Sequence, residues 1–389
     1  MSSLAPTYGP QKITLVKGEG AWLYDDQDRA YLDFATGIAV SSLGHNHPVL
    51  IKALQEQSQN LLHVSNLFGI PGQKILADRL TQNSFADAVF FCNSGAEAME
   101  ASIKFARRYH WHRGQPERYE VLSFSGGFHG RTLATIAAGG SDKYLEGFGP
   151  KVSGFTQIAF GDLEAAEAAI GPQTAALLIE PIQGEGGIRP NTKEFMQVAR
   201  TLADAHDLLL ILDEVQTGVG RTGKFWAYEH FGITPDLLAS AKGLGAGVPI
   251  GASLMTQAVA DTLAPGAHGS TFGGNPLSMA AGNAVLETVD TPAFLADIAE
   301  KGTYLAKGLT KLAQGNNRLL AGTRGMGLMQ SIQLYPEGSV ADFVAAAQDQ
   351  GLLTVPAGDQ TVRLLPPLTV TKGEIDQALE KLTATLRSL

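Results

Sequence analysis

Short apolar runs alternate with helical stretches along the middle of the chain, from about residue 86 to residue 256. Most of these runs end in glycine or polar residues, a pattern typical of strands buried on both faces of a sheet. Five runs are predicted as such strands: Ala88–Phe91, Tyr119–Phe124, Ala175–Ile179, Leu208–Leu212 and Leu237–Ala241. The alternation predicts an α/β fold whose largely parallel sheet is covered by helices.

A helix is clearest between the third and fourth predicted strands. Asn191 and Glu194 have the spacing of a capping box, which marks a helix start. Apolar residues then recur on one helical face: Phe195, Val198, Ala199 and Leu202. This periodicity predicts a helix that packs on the sheet through that face.

The two ends of the chain differ from the middle. Residues 20–35 predict a β-hairpin, because two partly alternating runs flank a polar turn. Beyond about residue 275 long helices dominate, with short strands near residues 328–333 and 352–364. Thr371 and Glu374 form a second capping box and predict the start of the last helix.

Length and composition fit two domains. The chain has 389 residues, of which 44% are hydrophobic and 17% charged, so a large core is available and disorder is excluded. We predict a large domain over residues 46–275 and a smaller α+β domain formed by residues 1–45 and 276–389. The 45 glycines exceed the usual share of about 7%. They follow no repeat, so they predict tight turns or places of close backbone approach.

Net charge and the length of the apolar runs limit the classes of binding partner and the location of the protein. The formal net charge is -9 and no basic block occurs, which argues against nucleic acid and anionic membranes. The longest apolar runs are about five residues, so no membrane span is predicted. The first ten residues lack a secretory pattern, and the single cysteine, Cys92, excludes an internal disulfide. These features predict a cytoplasmic protein.

One glycine-rich segment matches two nucleotide-binding patterns in its glycines but lacks another residue that each pattern requires. Gly218 to Gly223 matches G-x-G-x-x-G, and Gly218 to Lys224 matches the beginning of a P-loop. Phe225 stands where a P-loop needs Ser or Thr for Mg²⁺, and the acidic residue of a dinucleotide site is missing. A P-loop ATPase is therefore a minor alternative, and these glycines predict a tight loop near an active site.

Two turns after predicted strands have candidate binding chemistry. Residues 94–96 lie between a strand and a helix, where free N–H groups and the helix dipole favour a phosphate. An ordinary capped helix start would have the same sequence. In the second turn, Phe128 could stack on a flat ring and Arg131 could bind a carboxylate. His129 between them is equally consistent with catalysis and with a structural role.

Carboxylates and a lysine follow the next three strands. Glu180 and Glu185 stand at the edge where α/β sheets place their sites, although one of them could be purely structural. Asp213 follows a run of leucine and isoleucine and needs a cationic partner to stay ionised. Lys242 lies between an apolar run and glycines, which favours a lowered pKa and a nucleophilic amine able to form a Schiff base. A solvated surface lysine is the alternative.

Polar residues farther along the chain complete the candidates. Ser270 and Thr271 lie in a glycine-rich segment and could contact phosphate or substrate. Arg363 lies in an apolar segment and needs a distant carboxylate. His45 and His47 have no third ligand nearby, so no metal site is predicted.

These features together describe one ligand. A phosphate fits Gly95 and Ala96, and a flat ring fits Phe128. A basic ring atom fits Asp213, and a carbonyl group fits Lys242. Pyridoxal phosphate has all four parts, so we predict it as the cofactor.

The chain resembles the class III, or ω-amino, aminotransferases from about residue 7 to its end. The resemblance rests on linked motifs: NSGAEAMEASIKFAR, SFSGGFHGRT, IEPIQGEGG, LLILDEVQTGVGRTGKFWAYE, SAKGLGAGVPIGA, HGSTFGGNP and VRLLPP. It implies fold type I of the pyridoxal-phosphate-dependent transferases, with a mostly parallel seven-stranded sheet. It also implies a homodimer with a shared active site.

The resemblance implies a role for each matching cofactor position. Lys242 matches the lysine that binds the cofactor covalently and moves a proton between substrate and cofactor. Asp213 matches the partner of the cofactor's ring nitrogen. Thr271 matches a residue that reaches the phosphate from the neighbouring subunit. The remaining matches contact the phosphate, the two ring faces or the phenolic oxygen: Ser94, Gly95, Ala96, Phe128, Val215 and Gln216.

Substrate positions are implied in the same way. Arg131 and Ser270 match positions that hold an acetylated ornithine. Arg363 matches the arginine that binds the α-carboxylate of glutamate or 2-oxoglutarate, and Glu185 matches a carboxylate that covers this arginine in the other half-reaction. Ile38 stands where ornithine-specific relatives have a tyrosine, which favours a donor with an acylated α-amine.

The implied reaction moves the terminal amine of N2-acetylornithine to 2-oxoglutarate, a step of arginine biosynthesis. Succinylornithine and succinyl-diaminopimelate stay open as donors, because the motifs do not resolve their distal acid groups. A non-catalytic protein that binds pyridoxal phosphate is a further alternative, which the intact Lys242 and Asp213 disfavour.

Overall fold

The structure, a computed structural model, describes residues 3–9 and 11–389. Residues 1, 2 and 10, which belong to the predicted small-domain segment and to the stretch without a secretory pattern, lie outside it. The strands are β1 (Leu15–Glu19), β2 (Trp22–Asp25), β3 (Ala30–Asp33), β4 (Ala88–Cys92), β5 (Glu120–Phe124), β6 (Phe155–Ile158), β7 (Thr174–Ile179), β8 (Ile182–Gln183), β9 (Arg189–Pro190), β10 (Leu209–Asp213), β11 (Leu237–Ser240), β12 (Gly251–Met255), β13 (Leu320–Met326), β14 (Met329–Leu334), β15 (Leu352–Leu353), β16 (Val355–Ala357) and β17 (Thr361–Leu364).

The helices are α1 (Thr36–Ala39), α2 (Pro48–Ser58), α3 (Pro71–Gln82), α4 (Gly95–His112), α5 (Leu133–Gly139), α6 (Asp142–Leu145), α7 (Leu163–Ala169), α8 (Lys193–Ala205), α9 (Gln257–Ala260), α10 (Pro276–Val289), α11 (Pro292–Gly315), α12 (Val340–Asp349) and α13 (Lys372–Ser388). Of these, α1 is a single turn with positive φ angles. None of the helices in the described ranges is both long and apolar enough to cross a bilayer.

The central sheet has seven strands in the order β4-β12-β11-β10-β7-β5-β6. Only β12 runs against its neighbours, and the other strands are parallel to one another. The mostly parallel sheet is thus confirmed. All five predicted strands belong to it, with ends that differ by one residue at most, and β6 and β12 complete it.

Both faces of this sheet are buried, which explains the continuous apolar runs. In β10, Leu210 and Leu212 belong to the core that includes Phe195 of α8. Leu209 and Ile211 point the other way, into the core that includes Ile103 of α4. A strand buried on both faces has no polar alternate positions, so its sequence is a short apolar run.

The start of α8 differs from the prediction. Its N-cap is Thr192, whose Oγ1 accepts a hydrogen bond from the backbone N–H of Phe195. Asn191 instead donates its side-chain Nδ2 to the carbonyl of Glu180, at the end of β7. The predicted capping box at Asn191 is therefore wrong, and so is the predicted burial of Val198, which is 51% exposed.

The two ends of the chain meet in one small sheet. The predicted hairpin is formed by β2 and β3, and β15 from the C-terminal part runs parallel to β3. A second small sheet, in the order β13-β14-β17-β16, is antiparallel. The predicted capping box of Thr371 and Glu374 begins α13 and is confirmed.

The domain bounds stay a prediction. The helix α10, which begins at the predicted boundary after residue 275, packs against α2 and α3 of the predicted large domain. The next helix, α11, packs on β13 and β14 and on α13. The connection between the two parts therefore runs through the pair α10 and α11.

Candidate active site

A cavity of about 450 Å³ opens at the carboxyl ends of the central strands. The residues that line it follow β4, β5, β7, β10 and β11, which end at the same edge because they are parallel. Ten of the predicted site residues line this active-site cavity: Ser94, Gly95, Ala96, Phe128, Arg131, Glu185, Asp213, Val215, Gln216 and Lys242.

The amino end of α4 forms one wall of the cavity. Ser94 is the N-cap, and its Oγ accepts from the backbone N–H of Glu97. The first N–H groups of a helix have no partner within the helix, so those of Gly95 and Ala96 are free for an anion. A side chain at Gly95 would bring its Cβ within 2.7 Å of Val215, so the close approach of α4 to the loop after β10 requires glycine.

Asp213 is held by a buried histidine. It is 4% exposed, and its Oδ2 lies 2.8 Å from Nδ1 of His129, while its Oδ1 accepts from the N–H of Val215. Burial lowers the pKa of His129, but the hydrogen bond and charge of Asp213 outweigh burial, so the pKa is raised. The structure therefore gives His129, which the sequence left open, a contact with the predicted catalytic carboxylate.

Glu180 lies behind this pair. Its carboxylate accepts from the N–H groups of Phe128 and Gly184, and burial raises its pKa to about 8 against the lowering effect of His129. Glu180 thereby fixes the turn that carries Phe128. Of the two glutamates after β7, this buried one has the structural contacts, and Glu185 reaches another partner.

Lys242 is partly buried at the cavity, and its Nζ has no hydrogen-bond or ion-pair partner within the described residues. Burial lowers its pKa, and the nearby charges of Glu185 and Arg363 oppose each other. Its φ of 42° lies in the left-handed region, which is strained for a residue with a side chain. An amine that is unpaired and partly desolvated is the form that attacks a carbonyl.

Arg363 reaches the site from β17. It is 1% exposed, and its Nη1 lies 2.6 Å from Oε1 of Glu185 and 3.4 Å from Oε1 of Gln216. Its Nη2 donates to the carbonyl of Pro356. Glu185 is 25% exposed, so it is the more solvent-accessible partner of this ion pair.

Arg131 lies at the exposed side of the cavity, over aromatic rings. Its guanidinium carbon is 3.8 Å from the ring centre of Tyr144 and 5.5 Å from that of Phe128. No carboxylate of the described chain pairs with it. Its planar donors are therefore available to a carboxylate ligand.

Ser270 and Thr271 do not meet the other candidates within this chain. Thr271 is exposed, and Ser270 accepts from Asn93 Nδ2 at 3.2 Å and from the N–H of Gly273. Asn93 lines the active-site cavity, but Ser270 borders a different cavity beside Asn66. A single chain thus leaves this segment outside the site.

The glycine loop after β10 does not itself line the cavity, but it begins two residues after Gln216, which does, so the predicted tight loop lies near the site. A Cβ at Gly220 would lie 2.8 Å from Val289, and one at Gly223 would lie 3.0 Å from Ala299. These glycines allow the loop to pack against α10 and α11. Their role is close packing between the two parts of the chain.

Val40 and Asn93 also line the cavity, although neither was among the predicted site residues. Asn93 stands beside the predicted phosphate turn, so its position is the available signal. Val40 comes from the N-terminal part, which is held in place because Ser42 Oγ donates to the carbonyl of Gly243. Ile38 packs instead with apolar residues that include Leu365, and it does not line the cavity.

A family model described as aminotransferase class III matches residues 3–386. The chain belongs to the class-III aminotransferases. It is 53% identical to an acetylornithine aminotransferase of Agrobacterium fabrum (strain C58) over 387 residues, 99% of this chain and 96% of that relative. It is 54% identical to an acetylornithine aminotransferase of Mesorhizobium japonicum over 388 residues, 100% of this chain and 97% of that relative.

Solved structures of other aminotransferases share the fold of this class-III aminotransferase. The N-acetylornithine aminotransferase of Stenotrophomonas maltophilia K279a has a TM-score of 0.86 at 36% identity, with 97% of this chain and 96% of that chain covered. The ornithine aminotransferase of Toxoplasma gondii ME49 has a TM-score of 0.95 at 31% identity, with 99% and 93% covered. An amine transaminase of an uncultivated Pseudomonas species, solved with pyridoxal phosphate bound, has a TM-score of 0.92 at 28% identity, with 100% and 98% covered.

Pyridoxal phosphate is the cofactor of this class-III aminotransferase, as predicted, and the cavity fits it. The amino end of α4 suits a phosphate, and Asp213 is a buried carboxylate without a lysine or arginine partner in the described chain. Lys242, at the same cavity, has an amine without a partner among the residues that the structure describes. The predictions of family, fold class, enzyme class and cofactor are confirmed.

Proposed function

We propose that this enzyme transfers the terminal amine of N2-acetylornithine to 2-oxoglutarate, giving N-acetylglutamate 5-semialdehyde and glutamate in arginine biosynthesis. The observation that carries the proposal is the buried Arg363 with its movable partner Glu185, 2.6 Å apart beside Lys242. Two relatives named acetylornithine aminotransferase, at 53% and 54% identity over nearly the whole chain, support the choice of donor.

The cofactor-binding residues are proposed as follows. Pyridoxal phosphate, when bound, supplies an electron sink that allows an amino group to be exchanged for a carbonyl oxygen. Lys242 Nζ would hold it covalently and would move a proton at the reacting carbon, and Asp213 would hold the proton on the ring nitrogen. The other contacts to phosphate, ring faces and phenolic oxygen come from Ser94, Gly95, Ala96, Phe128, Val215 and Gln216, with Thr271 from the neighbouring subunit.

The substrate residues divide between the two half-reactions. The acetylornithine donor presents an amine with no carboxylate beside it, and Glu185 then covers Arg363, which would otherwise attract α-amino acids. Glutamate and 2-oxoglutarate present an α-carboxylate, which displaces Glu185 and pairs with Arg363. Arg131 and Ser270 hold the distal part of the donor.

We propose a homodimer with a shared active site. Two adjacent loops, residues 61–68 and 268–273, support it, since they expose large apolar side chains such as Leu67 at 87% and Phe272 at 59%. Asn66 donates to the carbonyls of Ser270 and Gly273 and so joins these loops. An exposed apolar patch of this kind is typical of an interface, and the second chain would receive Ser270 and Thr271. We also propose a cytoplasmic location, where a single cysteine stays reduced.

The experiment is a visible spectrum followed by a donor panel. Purified protein loaded with pyridoxal phosphate is expected to be yellow, and Lys242→Ala is expected to lose that absorption after desalting while the fold is retained by circular dichroism. N2-acetylornithine is expected to discharge the colour, and free ornithine to react at least about tenfold more slowly. A protein that stays colourless with pyridoxal phosphate, or one that prefers free ornithine, contradicts the proposal.

A further inference from the structure

A second cavity, of about 640 Å³, adjoins the active-site cavity. Phe128 and Glu185 line both cavities and therefore stand between them. Tyr144 lines the second cavity, and Arg131 of the active-site cavity lies over the Tyr144 ring. We call this space the outer cavity, and the proposed cofactor and donor roles do not use it.

Two guanidinium groups line the outer cavity. Arg189 of β9 stacks on Phe160, with 4.0 Å between its guanidinium carbon and the ring centre, and none of its guanidinium N–H donors has an acceptor in the described residues. Arg324 of β13 binds Asp359 through Nη2 at 2.6 Å. The buried Nε of Arg324 has no partner within the residues that the structure covers.

Among the described residues that line the outer cavity, no carboxylate pairs with Arg189. Asp359 is bound to Arg324, and Glu185 is bound to Arg363. Burial lowers the pKa of Arg189, the charge of Asp359 opposes this effect, and the charge of Arg324 adds to it. A partly buried guanidinium with free planar donors is suited to a carboxylate from outside the chain.

Glycine backbone lines the cavity beside these arginines. Gly126, Gly186 and Gly358 line it without side chains, so space remains beside the guanidinium groups. A Cβ at Gly126 would lie 3.0 Å from Nη1 of Arg189, so a larger residue there would press on this arginine. The outer cavity therefore combines free donors with room for a short acid group.

We propose that Arg189 and Arg324 form an outer carboxylate subsite, which binds a carboxylate at the acyl end of the amine donor. The inference rests on the proposed function, because it assigns residues to the acyl end of the donor and so addresses the succinyl donors that the motifs leave open. An acetyl group ends in a methyl group and leaves Arg189 unpaired. A succinyl group ends in a carboxylate, which can pair with the free guanidinium donors of Arg189 beside Arg324.

The test compares half-reactions of the pyridoxal-phosphate-loaded enzyme with N2-succinylornithine and with N2-acetylornithine, each without 2-oxoglutarate, by stopped-flow absorbance. Arg189→Met is expected to slow the reaction of the succinyl donor about tenfold or more, the effect of losing a charge-assisted hydrogen bond. The reaction of the acetyl donor is expected to stay within about twofold. Arg189→Lys keeps the charge but lacks the planar guanidinium donors, and it is expected to restore part of the rate with the succinyl donor.

Arg318→Met is the matched control, because Arg318 is exposed and has no partner in the described residues. It removes the same charge elsewhere and is expected to change neither donor's rate. The proposal is overturned if Arg189→Met slows both donors equally or slows neither. A wild-type enzyme that reacts with the succinyl donor and not with the acetyl donor would contradict the proposed function and leave the subsite standing.

Free succinate tests the other source of a carboxylate. In the wild type, succinate is expected to compete with N2-succinylornithine more strongly than with N2-acetylornithine, and Arg189→Met is expected to remove the difference. If succinate inhibits both donors equally and the inhibition depends on Arg189, the site takes a free anion, and the assignment to the donor is overturned.

Discussion

In the proposed function, Arg363 is the residue on which the choice between two substrates depends. It is 1% exposed, whereas its partner Glu185 is 25% exposed. A buried guanidinium that loses its only carboxylate is strongly destabilised, so a substrate carboxylate must arrive as Glu185 leaves. In the proposed switch the glutamate is therefore the residue that moves, because the arginine is also held by Gln216 and by the carbonyl of Pro356.

Glu185→Gln should favour the half-reaction with glutamate over that with N2-acetylornithine by about tenfold, because a neutral amide competes less well with a carboxylate for Arg363. The ratio of the two single-turnover rate constants measures this effect. Glu146→Gln, which changes an exposed glutamate, is the control and should leave the ratio unchanged. An unaltered ratio in Glu185→Gln would show that the ion pair does not select between substrates.

Cys92 should be unreactive in the native protein. It is 2% exposed, and burial raises its pKa to about 12, against about 8.5 in an unfolded chain. At pH 8 the thiolate fraction should therefore be roughly a thousandfold or more below that of the unfolded protein. A colorimetric thiol reagent should find no thiol in the native enzyme and one in guanidinium chloride.

The raised pKa of Cys92 also makes the free energy of unfolding depend on pH. A raised pKa means that the native state holds this proton while the unfolded state loses it. The contribution of the protonated Cys92 thiol to the free energy of unfolding is complete below about pH 8.5. It is lost as the pH rises from there toward about 12. Cys92→Ala should remove this part of the loss of stability at alkaline pH. Rapid reaction of the native Cys92 thiol with the reagent at pH 8 would contradict the assigned burial.

At the scale of elements, the sequence predicts strands best where both faces are buried. The run from Leu209 to Leu212 is apolar throughout, and β10 was predicted to within one residue. The missed strand β12, Gly251–Met255, is equally buried but begins with small residues, which have little β-propensity. The missed strand β6 is at the edge of the sheet and is only half apolar, so its pattern does not differ from that of a loop.

Helix starts depend on competition that the sequence does not show. Asn191 and Thr192 are both good N-cap residues, and spacing alone favours Asn191 through Glu194. The amide of Asn191 can also reach the carbonyl of Glu180, which a hydroxyl at that position could not do as well. This tertiary contact thus overrides the local preference for Asn191 as the N-cap.

Gly302→Ala in α11 should destabilise the protein by about 1–3 kcal/mol, although alanine is the better helix former. An added Cβ would lie 2.5 Å from the carbonyl carbon of Gly327 in the turn between β13 and β14, and backbone cannot rotate away. Gly315→Ala, at the end of the same helix, has open space around the new Cβ and should be neutral or stabilising by up to about 1 kcal/mol. Urea unfolding of both variants measures the difference, and equal midpoints would contradict the close packing.

At the scale of the whole molecule, the candidate site divides into a part that sequence order predicts and a part that it does not. Residues after successive parallel strands must meet at one edge, so Gly95, Asp213 and Lys242 could be grouped from their positions alone. Val40 reaches the cavity only because the N-terminal part folds back onto the loop after β11. Ser270 and Thr271 stay outside the cavity of a single chain, so their proposed roles require a second chain.

Mixed dimers should show whether Thr271 acts across the subunit boundary. Lys242→Ala and Thr271→Ala chains, carrying different affinity tags, are unfolded together, refolded and purified as the mixed dimer. If Thr271 serves the neighbouring site, one site of this dimer combines an intact Lys242 with an intact Thr271 and should bind pyridoxal phosphate with wild-type affinity and colour. If Thr271 serves its own chain, each site carries one defect and no wild-type site forms. Titration with pyridoxal phosphate therefore separates one full site per dimer from none, with the Thr271→Ala homodimer as the reference for weakened binding.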